Sequence, residues 1–250
     1  MKTIFINGWA SDEPGSVILR EHLQDLGHRV ARGRTENYDV AVCWGNSNRA
    51  GGYKDCPTLN NNVNMFNKYE AMLRFQKAGV LTPTIFYPDV AENNFKHYDF
   101  PWFSRKFSHK KGQDIRVCQT QKDVRDAIQQ DTDFFSVYVP NEAEFRVWVF
   151  KGKAFAVYQK HYRDPGIENY KRMEYRSELR ADLLRTESLT KSAIESVKAL
   201  KMDFGAVDAL YGNDRKYYIL EVNSMPDISS MIRVSGIRLA GLVSQWAESQ

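Results

Sequence analysis

Cysteine is scarce in this 250-residue chain, and the three present do not cooperate. Cys43, Cys56 and Cys118 are scattered, odd in number and without metal-ligand spacing. That argues against a disulfide scaffold or a thiolate zinc centre and fits reduced thiols in a cytoplasm. Long apolar runs are missing too: no stretch approaches the roughly 18 residues of a spanning helix, so no membrane role is expected. The opening MKTIFINGWASDEPG meets charge too soon for a secretory signal. Charge of one sign is also lacking. Thirty-five Lys and Arg against 31 Asp and Glu leave +4, which admits phosphate-bearing ligands without marking a nucleic-acid binder. There is no repeat and no low-complexity tract, and no serine or cysteine has the partnered base that covalent catalysis requires. What remains is globular: 42% apolar, 26% charged and 13% aromatic, enough for one large domain or two small ones.

The most informative stretch lies late in the chain. Residues 203–208 (DFGAVD) and 217–223 (YYILEVN) flank 212–216 (GNDRK), a polar segment with hairpin-turn chemistry. A register pairing Tyr211 with Tyr218 sets Asp208 opposite Glu221. Strand side chains alternate, so Asp208, Glu221 and Asn223 then share one face, with Val207, Ala209, Leu220 and Val222 on the other. Three oxygen donors on one face suit a hard divalent cation such as Mg²⁺. An ordinary hairpin with three solvated polar groups has the same pattern, and a one-residue slip would part the donors.

Upstream, residues 2–7 read as a strand, 16–26 as a helix stopping at Gly27, and 28–32 and 38–44 as two further strands. This β-α-β-β start predicts a small open sheet. Gly45, Asn46, Ser47, Asn48, Gly51 and Gly52 follow its last strand, where α/β sheets often bind ligands; a plain loop is the alternative. The Asn-rich residues 57–64 read as a connector. A helix is expected over 69–78, with Ala71, Met72, Phe75 and Ala78 on its apolar side. Strands follow at 83–86, 100–107 and from 115, around a basic loop at 108–114; then come a short helix at 123–130 and a strand at 134–139. Residues 144–150 (EFRVWVF) and 154–160 (AFAVYQK) predict a hairpin with Arg146, Trp148 and Phe150 on one face. Residues 161–185 are charged and aperiodic, hence loop and an irregular helix start. Helices are expected at 189–200, with Leu189, Ala193, Val197 and Leu200 inward, and at 235–246, with Ile237, Ala240, Leu242 and Val243 inward.

In this order the pieces resemble the ATP-grasp superfamily of carboxylate–amine ligases, over about residues 65–235 and more loosely before them. Asn67-Lys68 with Gly79-Val80-Leu81-Thr82-Pro83 resembles the helix opening the grasp module. Glu144-Phe145-Arg146-Val147 is similar to the acidic-x-Arg-hydrophobic signature. Phe204-Gly205-Ala206-Val207-Asp208 with Leu220-Glu221-Val222-Asn223-Ser224-Met225-Pro226 is similar to the paired metal signature. The nearest likeness is to the RimK-type branch, which adds glutamate to a ribosomal protein, and to its short bacteriophage-encoded relatives.

The resemblance implies an α/β (α+β) ATP-grasp fold: a small open α/β domain over residues 1–62, then a grasp domain over 63–250 whose two antiparallel-sheet subdomains clasp ATP. The flap would span roughly 100–140 and the C-terminal sheet 141–250. It implies ATP and Mg²⁺ as cofactors, the metal held by Asp208, Glu221 and Asn223. Lys68 becomes a phosphate-contacting lysine, and Arg105 or Lys106 the second cation; strand alternation lets only one enter the cleft, and counting back from Ile115 favours Arg105. Val137, Tyr138 and Val139 resemble the hinge whose backbone reads adenine, with Glu144 near the ribose. Arg146 would steady the transferred phosphoryl group, a task for a planar fork, and Lys160 would reach the same cleft. The implied reaction is ADP-forming amide synthesis joining an amino acid to a peptide, protein or small-molecule acceptor, with the first domain and residues 161–180 as acceptor surfaces; a homodimer is allowed for.

Two departures stand out. Asp227 replaces the usual Gly after Pro226, and the loop at 108–114 holds one Gly, leaving phosphate closure to Lys110 and Lys111. Competing readings are a small-molecule kinase on the same scaffold and a nucleotide-binding protein without turnover. A nucleic-acid groove built from Arg105, Lys106, His109, Lys110, Lys111 and Arg116, with Phe103 and Phe107 stacking bases, is disfavoured.

Overall fold

The computed structural model describes residues 1–8, 14–31, 36–45, 56–62, 66–107, 115–162, 175–226 and 236–250. Expectations about residues 46–52, 108–114 with Lys110 and Lys111, 163–174, Asp227 and Ser235 lie outside them. The chain builds three sheets. The first takes β1 (Thr3–Asn7), α1 (Pro14–Asp25), β2 (Arg29–Ala31) and β3 (Val40–Cys43), as the apolar runs predict. It also takes β4 (Thr58–Leu59), inside the expected connector, in the parallel order β2-β1-β3-β4. Two residues suffice there because Leu59 is fully buried; the surrounding asparagines hid the strand.

Next comes α2 (Lys68–Lys77), opened by Asn67 and Glu70 in a reciprocal capping box that satisfies two otherwise orphaned N–H groups. Its buried residues are Tyr69, Met72 and Phe75, whereas Ala78 is the exposed C-cap. The second sheet is antiparallel, order β5-β8-β6-β7, from β5 (Ile85–Phe86), β6 (Trp102–Arg105), β7 (Arg116–Cys118) and β8 (Phe134–Val137). Helices α3 (Ala91–Asn94) and α4 (Gln121–Gln129) interrupt it.

The third sheet dominates. Strands β9 (Asn141–Phe150), β10 (Lys153–Tyr162), β11 (Tyr175–Leu179), β12 (Phe204–Gly212) and β13 (Tyr217–Asn223) run antiparallel in the order β11-β10-β9-β12-β13. β11 replaces part of the expected loop; its charged sequence suits an edge strand, which needs only one partner. Between β11 and β12 lies α5 (Glu187–Ala199), and α6 (Ile237–Glu248) ends the chain, with Ile237 exposed instead of inward. Among the described residues no helix is long and apolar enough to cross a membrane.

Period-2 alternation gives this sheet two different faces. One carries Phe145, Val147, Val149, Val157, Val207, Ala209 and Ile219 against α5 and α2 through Leu189, Ala193, Val197 and Phe75. The other is divided along the strands. Its apolar half (Trp148, Phe150, Ala156, Phe204, Ala206) packs on the first sheet and α6 through Ile4, Val42, Trp44, Leu239 and Trp246. The polar half continues the same rows with Glu144, Arg146, Lys160 and Asp208.

A β-bulge sets the register of the last hairpin. Tyr211 pairs with Tyr217, not Tyr218, and the register shifts between Asp208 and Ala209 so that Asp208 still faces Glu221. Without that extra residue Asp208 would face Leu220. Ile219 therefore takes the core place expected for Leu220, which stays only partly buried.

Asn60, just past β4, ties the first sheet to the start of β12. Its side-chain oxygen accepts from the N–H groups of Asp203 and Phe204 at 2.7 and 3.0 Å, and its amide donates to the Phe204 carbonyl at 2.9 Å. The backbone there is left-handed (φ 55), which asparagine tolerates better than most side chains. Asn60→Ala should lower unfolding free energy by about 2–4 kcal/mol, because buried N–H and C=O groups lose their partner; urea unfolding measures it, and a change under 0.5 kcal/mol would refute the tie.

Candidate active site

The polar half-face gathers residues from four strands and a helix. Arg146 on β9 faces Asp208 on β12, and its guanidinium grips both carboxylate oxygens, Nε at 2.7 Å and Nη2 at 2.8 Å. Lys160 on β10 adds its ammonium to Asp208 at 3.0 Å and also bonds Glu144, its cross-strand partner. Glu144 accepts a second bond from the Tyr162 hydroxyl at 2.7 Å. On the other side, Asn223 donates its amide to Glu221 at 3.1 Å and, at the limit of a hydrogen bond, to Asp208 at 3.5 Å. Lys68, first residue of α2, reaches across to Glu221 at 2.7 Å. The result is a row of alternating charge, Lys68–Glu221–Asn223–Asp208–Arg146/Lys160–Glu144.

Of Arg105, the last residue of β6, and Lys106 after it, Arg105 belongs with this row and Lys106 does not. Lys106 turns to Asp131 and Asp133. Arg105 lies where Glu221 bears on it electrostatically, and its Nε is buried without a hydrogen-bond partner among the described residues. Arg116, from the disfavoured groove, bonds Gln130 instead. The segment joining β8 to β9 crosses between the second and third sheets. There the Val137 and Tyr138 N–H groups bond Thr84 and Pro101, and the Val139 carbonyl accepts from Asn141. The Tyr138 carbonyl and the Val139 N–H have no hydrogen bond among the described residues. The chain just past β3 meets the segment after β13. Gly45 is left-handed (φ 72), and a Cβ there would stand 2.6 Å from the Met225 Cβ, so only glycine fits.

Charge decides the protonation states. Burial pushes the Asp208 carboxyl up, but Arg146 and Lys160 outweigh it and hold it well below the usual carboxylate range. Glu221 is likewise lowered, with Lys68 overcoming burial and the repulsion of Asp208. Burial lowers Lys160, yet Asp208 and Glu144 more than reverse this, so it stays protonated and is no general base near neutrality. Arg105 is the opposite case: burial brings it down to about 10, and Glu221 only partly compensates. A half-buried cation with an N–H unpaired among the described residues is suited to an incoming anion.

A scan against protein families matches residues 67–247 to the RimK-like ATP-grasp domain. The chain belongs to that family. Its ATP-grasp fold is shared with solved structures of low identity. The ATP-grasp ligase PsnB in complex with a minimal precursor is 11% identical at a TM-score of 0.72, covering 97% of this chain and 99% of that one. The macrocyclase MdnC of Microcystis aeruginosa MRC, bound with precursor peptide MdnA, is 11% identical at 0.71 over 99% and 100%. The D-alanine–D-alanine ligase of Bacillus anthracis, complexed with ATP, is 16% identical at 0.67 over 98% and 95%. A search of curated proteins finds no match.

Within this ATP-grasp chain the structure brings Lys68, Arg105, Glu144, Arg146, Lys160, Asp208, Glu221 and Asn223 together around one half-face and leaves Lys106 apart. The sequence reading passed over Tyr162; the signal was its place two residues beyond Lys160 on the same strand face. The donor chemistry fits a divalent cation: two deprotonated carboxylates and an amide oxygen, all hard ligands.

The two carboxylates should respond differently to neutralisation. Asp208→Asn strands two buried cations and should cost about 3–5 kcal/mol; Glu221→Gln breaks a pair whose side chains are 33% and 34% exposed and should cost about 1 kcal/mol or less. Because the Asp208 carboxyl is lowered on folding, its contribution is complete above about pH 5 and is lost as pH falls through the folded-state value. Thermal melts across pH should therefore show the wild-type advantage over Asp208→Asn shrinking on acidification; a constant gap would contradict the pairing.

Proposed function

We propose that the protein is an ATP-dependent carboxylate–amine ligase, with residues 1–62 and 63–250 as its two domains. The observation carrying this reading is the convergence of Asp208, Glu221 and Asn223 on one half-face ringed by Lys68, Arg105, Arg146 and Lys160. Such a site supplies the two things phosphoryl transfer needs, cations around the phosphates and carboxylates for their metal. Asp208, Glu221 and Asn223 would hold Mg²⁺, which when bound offsets the negative charge of the triphosphate. Arg105 and Lys68 would contact phosphates. The Tyr138 carbonyl and Val139 N–H, without hydrogen bonds among the described residues, form an acceptor–donor pair suited to the adenine edge, and Glu144 would lie toward the ribose.

The γ-phosphoryl group passes to a substrate carboxylate, giving an acyl-phosphate and ADP. An amine then attacks the acyl carbon; phosphate leaves with the bonding pair, and the amine loses a proton to give the amide. Arg146, whose fork is taken by Asp208, would steady the transferred group by adding positive charge beside it. Lys160, held protonated, keeps Asp208 and Glu144 in place and adds positive potential. Peptide acceptors are favoured because two of the solved relatives carry precursor peptides. Acceptor entry is assigned to the first domain and to the end of β10 beside Tyr162. Buried Cys43 and Cys118, in no disulfide, suit a reducing, cytoplasmic setting.

ADP release with Mg²⁺ and pools of amino acids and peptides, followed by mass analysis, tests the reading. An amide product is expected; a phosphoester would make the protein a kinase, and no ADP with any mixture would remove turnover. Glu221→Gln should lower ADP formation at least about a hundredfold. Arg105→Met should raise the KM for ATP about tenfold through a lost charge-assisted contact. Near-normal kinetics in both variants would move the site elsewhere.

A further inference from the structure

We propose that Lys68 couples nucleotide binding to metal binding by occupying Glu221 until a triphosphate draws it away. The proposal rests on reading the cleft as a nucleotide site. Both oxygens of Glu221 already receive donors, Oε2 from the Lys68 ammonium at 2.7 Å and Oε1 from the Asn223 amide at 3.1 Å. A bare divalent cation approaching Glu221 must displace that ammonium or lie beside it against like-charge repulsion. Arg105 adds a second positive charge on the same side.

Asp208 is neutralised differently. Arg146 engages both its oxygens, the two side chains are only 10% and 7% exposed, and Lys160 stands behind at 3.0 Å. That clamp belongs to the sheet and stays. The Lys68–Glu221 pair is a single ammonium contact, one third exposed, made by a flexible four-carbon stem. Its backbone is anchored: the Asn67–Glu70 capping box fixes the first turn of α2. Lys68 can therefore swing from Glu221 to a phosphate without moving the helix. Once it does, Glu221 is released as a ligand while the phosphates supply further oxygens. By linkage, whatever factor the triphosphate adds to metal affinity, the metal adds to triphosphate affinity.

Mn²⁺ binding in the absence of nucleotide, read from the electron paramagnetic resonance signal of the free ion, tests this directly. Lys68→Met should bind Mn²⁺ at least tenfold more tightly than wild type, Lys68→Arg should match wild type, and Lys68→Met/Glu221→Gln should lose the gain. Lys68→Gln serves if circular dichroism shows Lys68→Met unfolded. Equal affinities for wild type and the neutral variants, whether measurable or not, overturn the coupling. Calorimetry of a non-hydrolysable ATP analogue with wild type and Mg²⁺ separates the two claims. Binding of the analogue without any Mn²⁺ gain in the variant removes only the role of Lys68; no binding removes the nucleotide site and the proposal with it.

Discussion

Buried opposite charge between neighbouring strands is the constraint on which this molecule turns. Arg146 and Asp208 face each other across β9 and β12, with Lys160 completing the set from β10. Such a pair does little for stability in itself, since desolvation consumes much of the attraction. Its effect is specificity. Each member is costly to bury alone, so the three strands fit only in the register that joins them. That same register carries Trp148, Phe150, Ala156, Phe204 and Ala206 into the core beneath the first sheet. One alignment thus fixes both a dry half-face, which assembles the chain, and a charged half-face beside it.

The bulge in β13 belongs to the same logic. The tight turn after β12 imposes one alignment, and the charged row requires another one residue away; an extra residue at Leu220 reconciles them. Asn60, just past the first sheet, performs a comparable service at the other end of β12, accepting from the N–H groups of Asp203 and Phe204. Asp208 therefore sits on a strand held at both ends and on both sides. Glu221, on an edge strand and paired with one part-exposed ammonium, does not. In the proposed ligase, one rigid and one yielding carboxylate would suit a metal site that assembles with each turnover.

Much of this was legible in the chain because alternation is a strong signal where one face is dry. EFRVWVF and FGAVD announce their inward residues directly, and the family likeness follows from those pieces in order. The Asp208–Glu221 pairing was also legible, although the turn register behind it was off by one at Tyr211. A bulge leaves no compositional trace. Strands β4 and β11 escaped because one is two residues long among asparagines and the other, YRSEL, lies in a charged stretch without clear alternation, as an edge strand can. Lys160 was legible as a lysine near a cleft, but its two carboxylate partners, 16 and 48 positions away, are products of the fold. Strand alternation left room for only one of Arg105 and Lys106, with Arg105 favoured by counting back from Ile115; in the structure Lys106 has its own acidic pair, which alternation alone does not reveal.

Anomalous diffraction from crystals grown with Mn²⁺ and a non-hydrolysable ATP analogue tests the central claim most directly. Peaks between the Asp208, Glu221 and Asn223 oxygens, with the triphosphate running toward Arg105 and the base against Tyr138 and Val139, are the predicted result. Metal peaks away from those three side chains, or a nucleotide bound elsewhere, would contradict it.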